Sequence, residues 1–413
     1  MFLSHLALTH FRNYQHLDLD FRAPLTLVQG HNAQGKSNLL DAIYYLATSK
    51  SSHARTEREV VGWSAESEPI PYTQITGTVR KDREIHKLEV LFTPRNGDHN
   101  FTKQVRINGV SRRGIDLIGE MRVVLFLPED VILVAGSPSE RRRYLDIALC
   151  QIERSYCQHL SRYQKVLAQR NSLLKNLREA NASPRDAGVI SQLAFWDEQL
   201  VRHGAYVLAR RYRFIAAMDP IVRARHARLS NERETLHLIY LPSFNVGTLS
   251  EADYRRLMDG DTAPDLIALP DPPPTARGLE EIFRRKLDSR RDRELMAGST
   301  LYGPHRDDMG FVVNGRDLRT YGSRGQQRTA ALSLKLAEME TMTADTGDTP
   351  LLLLDDVMSE LDETRREMLL EVLAGVEQAI VTTTDWGDFS PSFREQAQLL
   401  RVEAGQIEEI KRE

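Results

Sequence analysis

The chain is poor in features that mark several large classes of protein. It has only two cysteines in 413 residues, Cys150 and Cys157. They fall within one helical pattern, and two turns of helix would separate their Cα atoms by about 10.5 Å, too far for a disulfide. A reducing, cytoplasmic setting is therefore expected. No apolar run approaches the roughly eighteen residues that a membrane-spanning helix needs. The first residues, Met1-Phe2-Leu3-Ser4-His5, lack the basic start and apolar stretch of a signal peptide. No membrane partner is expected. There is no excess of positive charge either: the formal net charge is −3. Any nucleic-acid partner must be held by a local patch or a surface shared between copies, not by bulk charge. Internal repeats and low-complexity segments are absent. With 41% hydrophobic and 27% charged residues, the composition is that of an ordinary soluble protein long enough for two domains.

The octapeptide Gly30-His31-Asn32-Ala33-Gln34-Gly35-Lys36-Ser37 fits the phosphate-binding pattern G-x-x-x-x-G-K-[ST]. It follows the apolar run Leu25-Thr26-Leu27-Val28 and precedes a helical pattern through Leu39, Leu40, Ile43 and Leu46, which is the strand–loop–helix context the motif requires. Glycines at both ends let the backbone wrap a phosphate with its N–H groups inward, over the positive end of the helix. Lys36 would reach the β- and γ-phosphates of ATP, and Ser37 would ligate Mg²⁺.

Around this loop the amino-terminal stretch alternates apolar and polar residues over 2–11 and 16–21, and again over 72–80 and 84–92. An Asn108-Gly109 turn marks a hairpin. Residues 123–127 form a short apolar strand. Ser137-Pro138 then opens a helical stripe running through Leu145, Ala148, Ile152, Tyr156, Leu160, Tyr163, Leu167 and Leu174. A second stripe runs Leu193, Trp196, Leu200, His203, Val207, Phe214 and Met218, so two long antiparallel helices joined near 181–188 are expected. The acidic, proline-rich stretch 258–274 reads as a mobile linker before a helix over 279–295. Strand patterns return at 310–313, at Leu351-Leu352-Leu353-Leu354 and at 379–383. The expected organisation is an ATPase head in two parts, 1–121 and 297–413, interrupted by a mainly helical lobe over 122–296.

Asp355 and Asp356 end the buried strand at 351–354. In a P-loop ATPase the first helps hold Mg²⁺ and the second polarises the attacking water, so Lys36 and Asp356 are the candidate catalytic residues. Between loop and carboxylates lies Gly322-Ser323-Arg324-Gly325-Gln326-Gln327-Arg328, which opens a helix. A hydroxyl, free N–H groups and the helix dipole make it a second anion-binding device, with Ser323, Gly325 and Gln326 as contacts. The order of phosphate loop, signature turn and paired acids, followed by Ser359-Glu360-Leu361-Asp362, resembles that of ABC-type ATPases. That resemblance implies a homodimer in which one copy's signature meets the γ-phosphate held by the other.

A closer resemblance covers nearly the whole chain and is weakest over about 180–300. Phe11-Arg12-Asn13-Tyr14, residues 30–44, Ser137-Pro138 through Arg141-Arg142-Arg143-Tyr144-Leu145-Asp146, and Tyr302-Gly303-Pro304-His305-Arg306-Asp307-Asp308 are similar to the RecF family of bacterial recombination proteins. So are the signature turn and the paired acids. The resemblance implies an α/β, SMC-like ATPase head with a short helical second lobe in place of a long coiled coil. It implies binding of ATP and of DNA at single-strand gaps or junctions, partnership with RecO and RecR, and loading of RecA in gap repair, replication restart and SOS induction.

Some residues depart from the wider superfamily. Asp356 stands where Glu is usual, which fits a slow, DNA-dependent ATPase acting as a switch. Thr382-Thr383-Thr384-Asp385 replaces the histidine after the last strand as candidate γ-phosphate sensor. Ala33 stands where the family often has Gly. Arg12 is placed to approach the phosphates from a strand edge. The loop network reading of His305, Asp307 and Asp308 is preferred over a metal site. The clusters Arg112-Arg113, Arg141-Arg142-Arg143 and Arg284-Arg285-Lys286 are candidates for phosphate-backbone contact. The alternative of an SMC-like tethering protein is disfavoured by length: a first arm of about forty residues spans only about 60 Å.

Overall fold

The computed structural model describes the chain except residues 55, 63–64, 66–70, 82–83, 95–100 and 411–413, and except the side chains of 360 and 364. The chain divides into two compact units, one made of Met1–Asp130 and Glu338–Glu413, the other of Val131–Ala337.

The amino-terminal part of the first unit contains β1 (Phe2–Phe11), β2 (Tyr14–Asp20), β3 (Leu25–Gln29), α1 (Lys36–Thr48), β4 (Thr73–Lys81), β5 (Glu84–Pro94), β6 (Phe101–Ile107), β7 (Val110–Arg112), α2 (Gly114–Leu117) and β8 (Val123–Phe126). β2-β1-β4-β5-β6-β7 form an antiparallel sheet. Alternating side chains of β1 and β4, such as Leu6, Leu8, Ile75 and Val79, are fully excluded from water, as a half-buried sheet requires. Asn108 and Gly109 both take positive φ (51° and 76°), the conformation a tight hairpin turn needs.

The second unit begins with α3 (Val131–Ala135), α4 (Pro138–Ile152), α5 (Arg154–Glu179) and α6 (Ala187–Leu229), then β9 (Leu236–Leu241), α7 (Glu251–Met258), α8 (Pro264–Ile267) and α9 (Ala276–Ala297). It ends with β10 (Asp308–Val313), β11 (Arg316–Asp317), α10 (Leu318–Tyr321) and α11 (Arg324–Thr346), the last helix crossing the division of the chain. α5 and α6 form the expected antiparallel pair, since Leu174 and Leu177 near the end of one pack on Val189 and Leu193 near the start of the other. Arg170, 1% exposed, clamps three elements by donating to Asp197 (2.7 Å), Glu294 (2.7 Å) and Thr300 (2.8 Å). Two carboxylates and a hydroxyl satisfy a guanidinium that would be costly to bury alone.

Three features of this unit differ from the sequence-based expectation. The first stripe is not one helix: Glu153 is extended (φ −137°, ψ 110°) and separates α4 from α5. Its carboxylate takes hydrogen bonds from Ser155 and Tyr206 and pairs with Arg210. The first arm proper is therefore the 26 residues of α5, about 39 Å of helix, shorter than the expected arm. Cys150 and Cys157, both buried, lie on different helices. The stretch 258–274 is anchored, not a bare linker, because Leu266 packs with Ile239, Leu257 and Val312 and Thr262 donates to Gly315 O at 2.6 Å. Finally, the division falls after 130 and after 337, not after 121 and 296. Residues 308–313 belong with the helical unit because β10 pairs along its length with β9.

The chain then returns to the first unit with β12 (Leu351–Leu354), α12 (Glu363–Gly375), β13 (Ala379–Thr383), α13 (Pro391–Glu395), β14 (Ala397–Glu403) and β15 (Gln406–Glu409). The order of its second sheet is β15-β14-β3-β13-β12-β8, parallel except for β15. Leu351, Leu352, Leu353 and Leu354 are each at most 1% exposed, the burial on both faces that an unbroken apolar run foretells. Burial of each contributes about 2 kcal/mol to stability. Among the described residues no helix is long and apolar enough to cross a membrane.

Candidate functional site

In parallel sheets, ligands gather beyond the carboxyl ends of the strands. Here β3, β12 and β13 end beside one another in the sheet order, and each is followed by residues of the expected site. After β3 comes the loop 30–37. Gly35 takes φ 126°, and a Cβ there would lie 2.7 Å from Asn13 Nδ2 and 3.1 Å from the Tyr14 hydroxyl. Only glycine fits. Helix α1 starts immediately, with Gly35 as its N-cap, no capping side chain and no acid in its first turn. Its first-turn N–H groups have no acceptor within the helix, and the dipole favours an anion in front of them. His31, Asn32 and Ala33 at the loop's tip are exposed.

Lys36 is 6% exposed and curls back to donate to Gly30 O (2.5 Å) and His31 O (3.1 Å). Burial pulls its pKa below the ordinary lysine value, partly offset by the negative charges of Asp356 and Asp355. The cation and the two carboxylates therefore share one electrostatic neighbourhood, although 319 residues separate Lys36 from Asp355.

After β12, Asp355 is 7% exposed and accepts from the Thr382 hydroxyl at 2.8 Å. Its other oxygen has no hydrogen-bond partner among the described residues. Asp356 sits in the left-handed region (φ 49°, ψ 27°), and its N–H donates to the same Thr382 hydroxyl at 2.9 Å. Thr382, wholly buried on β13, thus fixes both acids. Sequence reading had considered residues 382–385 only as a phosphate sensor and missed this bracing role. The register that brings Thr382 there, Val381 beside Leu354 and Thr382 beside Val28, is not visible in a linear pattern.

An uncommitted Asp355 oxygen and the half-buried Ser37 hydroxyl are hard oxygen donors suited to Mg²⁺. Among the described residues no cluster of three or more His, Cys, Asp or Glu could hold a metal by itself.

A carboxy-terminal brace on the loop also escaped sequence reading. The turn between β14 and β15 reaches Gln34: Ala404 N donates to Gln34 Oε1 (2.7 Å) and Gly405 N to Gln34 O (3.0 Å). Asn13 Nδ2 donates to the same carbonyl at 2.9 Å, and the Tyr14 hydroxyl donates to Gly35 O at 3.0 Å. Arg12 lies against α1: its Nη2 donates to the fully buried Asp41 (2.7 Å) and to Ser51 (3.0 Å). Its Nε is buried without a partner.

Ser323, Gly325 and Gln326 belong to the second unit, where Ser323 caps α11. Ser323 Oγ accepts from Gln326 N (3.2 Å) while Gln326 Oε1 accepts from Ser323 N (2.8 Å), a reciprocal capping box. Ser323 and Gly325 are exposed, and a Cβ on Gly325 would meet nothing closer than Ser323 Oγ at 3.9 Å.

His305, Asp307 and Asp308 form a loop network. His305 Nδ1 lies 2.6 Å from the Tyr163 hydroxyl, and burial lowers its pKa to about 4. Asp307 accepts from Tyr240 (2.6 Å) and Ser243 N (2.8 Å), and Asp308 takes a bidentate pair from Arg141 at 2.7 and 2.8 Å. Arg141 is 2% exposed and Arg142 donates to Asp307 O at 2.7 Å, so these two basic residues brace the fold. In the other clusters, Arg113 pairs with Asp116, and Arg284 and Arg285 both pair with Glu281.

The model of the RecF/RecN/SMC N terminal domain matches residues 2–407. The DNA replication and repair protein RecF of Chloroflexus aggregans is 41% identical, covering 98% of this chain and 99% of its own. That of Halalkalibacterium halodurans is 37% identical over 98% of this chain and 99% of its own. A solved structure of the recombination mediator protein RecF-ATPrS in the RecFOR pathway superposes with a TM-score of 0.82 at 31% identity, covering 99% of this chain and 98% of that one. The Smc head domain of Pyrococcus furiosus shares the fold, with a TM-score of 0.51 at 14% identity over 99% of this chain and 96% of that one. The family model over residues 2–407, with relatives 37–41% identical over almost their full length, makes this chain a member of the RecF family.

Proposed function

We propose that this protein is an ATP-operated DNA clamp of recombinational repair, closed when two copies sandwich nucleotide. The observation that carries the reading is the set of groups gathered at the ends of β3, β12 and β13. Lys36 is electrostatically coupled to Asp355 and Asp356, and one Thr382 hydroxyl serves both acids. Residues 30–37 would hold the triphosphate with main-chain N–H groups and the α1 dipole, and Lys36 would leave its loop carbonyls for the β- and γ-phosphates. Ser37 and Asp355 would hold Mg²⁺, which supplies charge neutralisation for the phosphoryl oxygens. Asp356 would orient the attacking water. Arg12, with its orphaned Nε, would lie toward the phosphate side.

Ser323, Gly325 and Gln326 of a second copy would complete each pocket. The exposure of Ser323 and Gly325, and the open space over Gly325, suit a phosphate arriving from outside the chain. The RecF-ATP and RecF-ATPrS relatives support the nucleotide, and their place in the RecFOR pathway supports RecO and RecR as partners and RecA loading at gaps as the outcome. Residues 30–37 fall in the unit 1–130 with 338–413, and Ser323, Gly325 and Gln326 in the unit 131–337; in this reading the loop of one copy would meet the turn of another, and that meeting would be the switch. A cytoplasmic location follows from this role.

Gapped-duplex binding, followed by anisotropy, tests the reading. Binding is expected to need ATP and to weaken at least about tenfold between 50 and 200 mM salt, because Lys and Arg contacts release phosphate counterions. Equal binding without nucleotide, or affinity indifferent to salt, would overturn it.

A further inference from the structure

Gln326 has both ends of its amide committed. Oε1 accepts from the Ser323 N–H at 2.8 Å, and Nε2 donates to Glu234 Oε1 at 2.8 Å. The second Glu234 oxygen lies 2.9 Å from Nε2 of His226, which is 0% exposed in the last turn of α6. His226 Nδ1 is 3.3 Å from the Ser333 hydroxyl, which donates to Thr329 O at 2.7 Å. The Thr329 hydroxyl donates to Gly325 O at 2.9 Å. The chain of bonds starts at one residue of the signature turn and returns to another.

An exposed helix start does not require this. The serine–glutamine box by itself satisfies two of the free N–H groups, those of Ser323 and Gln326, without Glu234. A glutamine side chain is flexible, however, and in water its amide would leave the box readily. A carboxylate acceptor, itself oriented by a buried imidazole, holds that amide with a stronger, charge-assisted bond. We infer that Glu234, oriented by His226, is a positioning residue for nucleotide-driven closure: it locks Gln326 so that the Ser323 hydroxyl and the Gly325 backbone are preset for the triphosphate carried by a second copy. This rests on the reading that the turn acts across a dimer. It also ties the end of α6 to the turn.

A substitution swap separates positioning from folding. Gln326→Glu sets two carboxylates against each other. Adding Glu234→Gln restores the bond between positions 326 and 234 with donor and acceptor exchanged, and leaves an oxygen facing Ser323 N and another facing His226 Nε2. Sedimentation with ATP should show Gln326→Glu needing at least about tenfold more protein to dimerise, and the double variant returning to within about threefold of wild type. Nucleotide binding by the Glu234→Ala monomer, whose loop and turn residues are intact, should be unchanged, a separation that general unfolding would not give. Glu234→Ala provides the same loss if Gln326→Glu folds poorly. Wild-type dimerisation by Gln326→Glu and Glu234→Ala overturns the inference. So does failure of the swap to rescue while Ser323→Arg abolishes dimerisation, which would leave the dimer reading standing. Should Ser323→Arg dimerise normally, the dimer reading of the turn fails, and the inference with it.

Discussion

Lys36→Ala should bind ATP at least about a hundredfold more weakly than the natural chain, a loss of about 3 kcal/mol. The ammonium is the one lysine or arginine charge among residues 30–37. The substitution should spare the fold. The Lys36 charge is held by two main-chain carbonyls, and burial depresses its pKa in spite of the neighbouring acids. A depressed lysine pKa means that folding disfavours the charged form. The cost is present at neutral pH and is lifted only as pH rises toward the ordinary lysine range. Removing the ammonium therefore relieves a strained charge. Calorimetric titration with ATP, beside a thermal melt without nucleotide, checks both parts: lost binding with an undiminished melting temperature.

Asp356→Asn should leave ATP affinity within about threefold of the natural chain while lowering hydrolysis at least about a hundredfold. Asparagine tolerates the left-handed backbone at this position almost as well as aspartate does, and the N–H bond to Thr382 is a main-chain bond that survives. Only the charge that would orient water is lost. The consequence is a dimer that forms with ATP and does not come apart. A monomeric Asp356→Asn protein at saturating ATP would show that this carboxylate is needed for closure and not for turnover. Asp356→Ala is a poorer probe, since it adds roughly 1–2 kcal/mol of backbone strain to the loss of charge.

Local chemistry made much of this site legible before any coordinates. The phosphate loop stands out because its glycines, lysine and serine must occur at one spacing, and β12 because a strand buried on both faces reads as an unbroken apolar run. What stayed hidden depends on register or on distant segments. The Thr382 hydroxyl reaches Asp355 and Asp356 only through the pairing of β13 with β12, and Gln34 is held by a turn some 370 residues away. Glu153 breaks the first helical stripe although no glycine or proline stands there, since the compensation comes from Ser155, Tyr206 and Arg210 on the following helices. The proline-rich stretch at 258–274 looked like a linker because composition cannot show that Leu266 has a core to enter. The boundary near 297 was misplaced for a similar reason: β10 finds its partner strand, β9, in the helical unit.

The most direct measurement mixes two defective chains. Lys36→Ala keeps its signature turn and loses its phosphate loop; Ser323→Arg keeps its loop and loses its turn. Each alone should stay monomeric and inactive with ATP, whereas an equal mixture should form a heterodimer with one whole pocket and regain roughly half of the natural ATPase activity per dimer. A mixture as inert as its components, with the natural chain dimerising normally, would mean that loop and turn act within one chain, contrary to the sandwich.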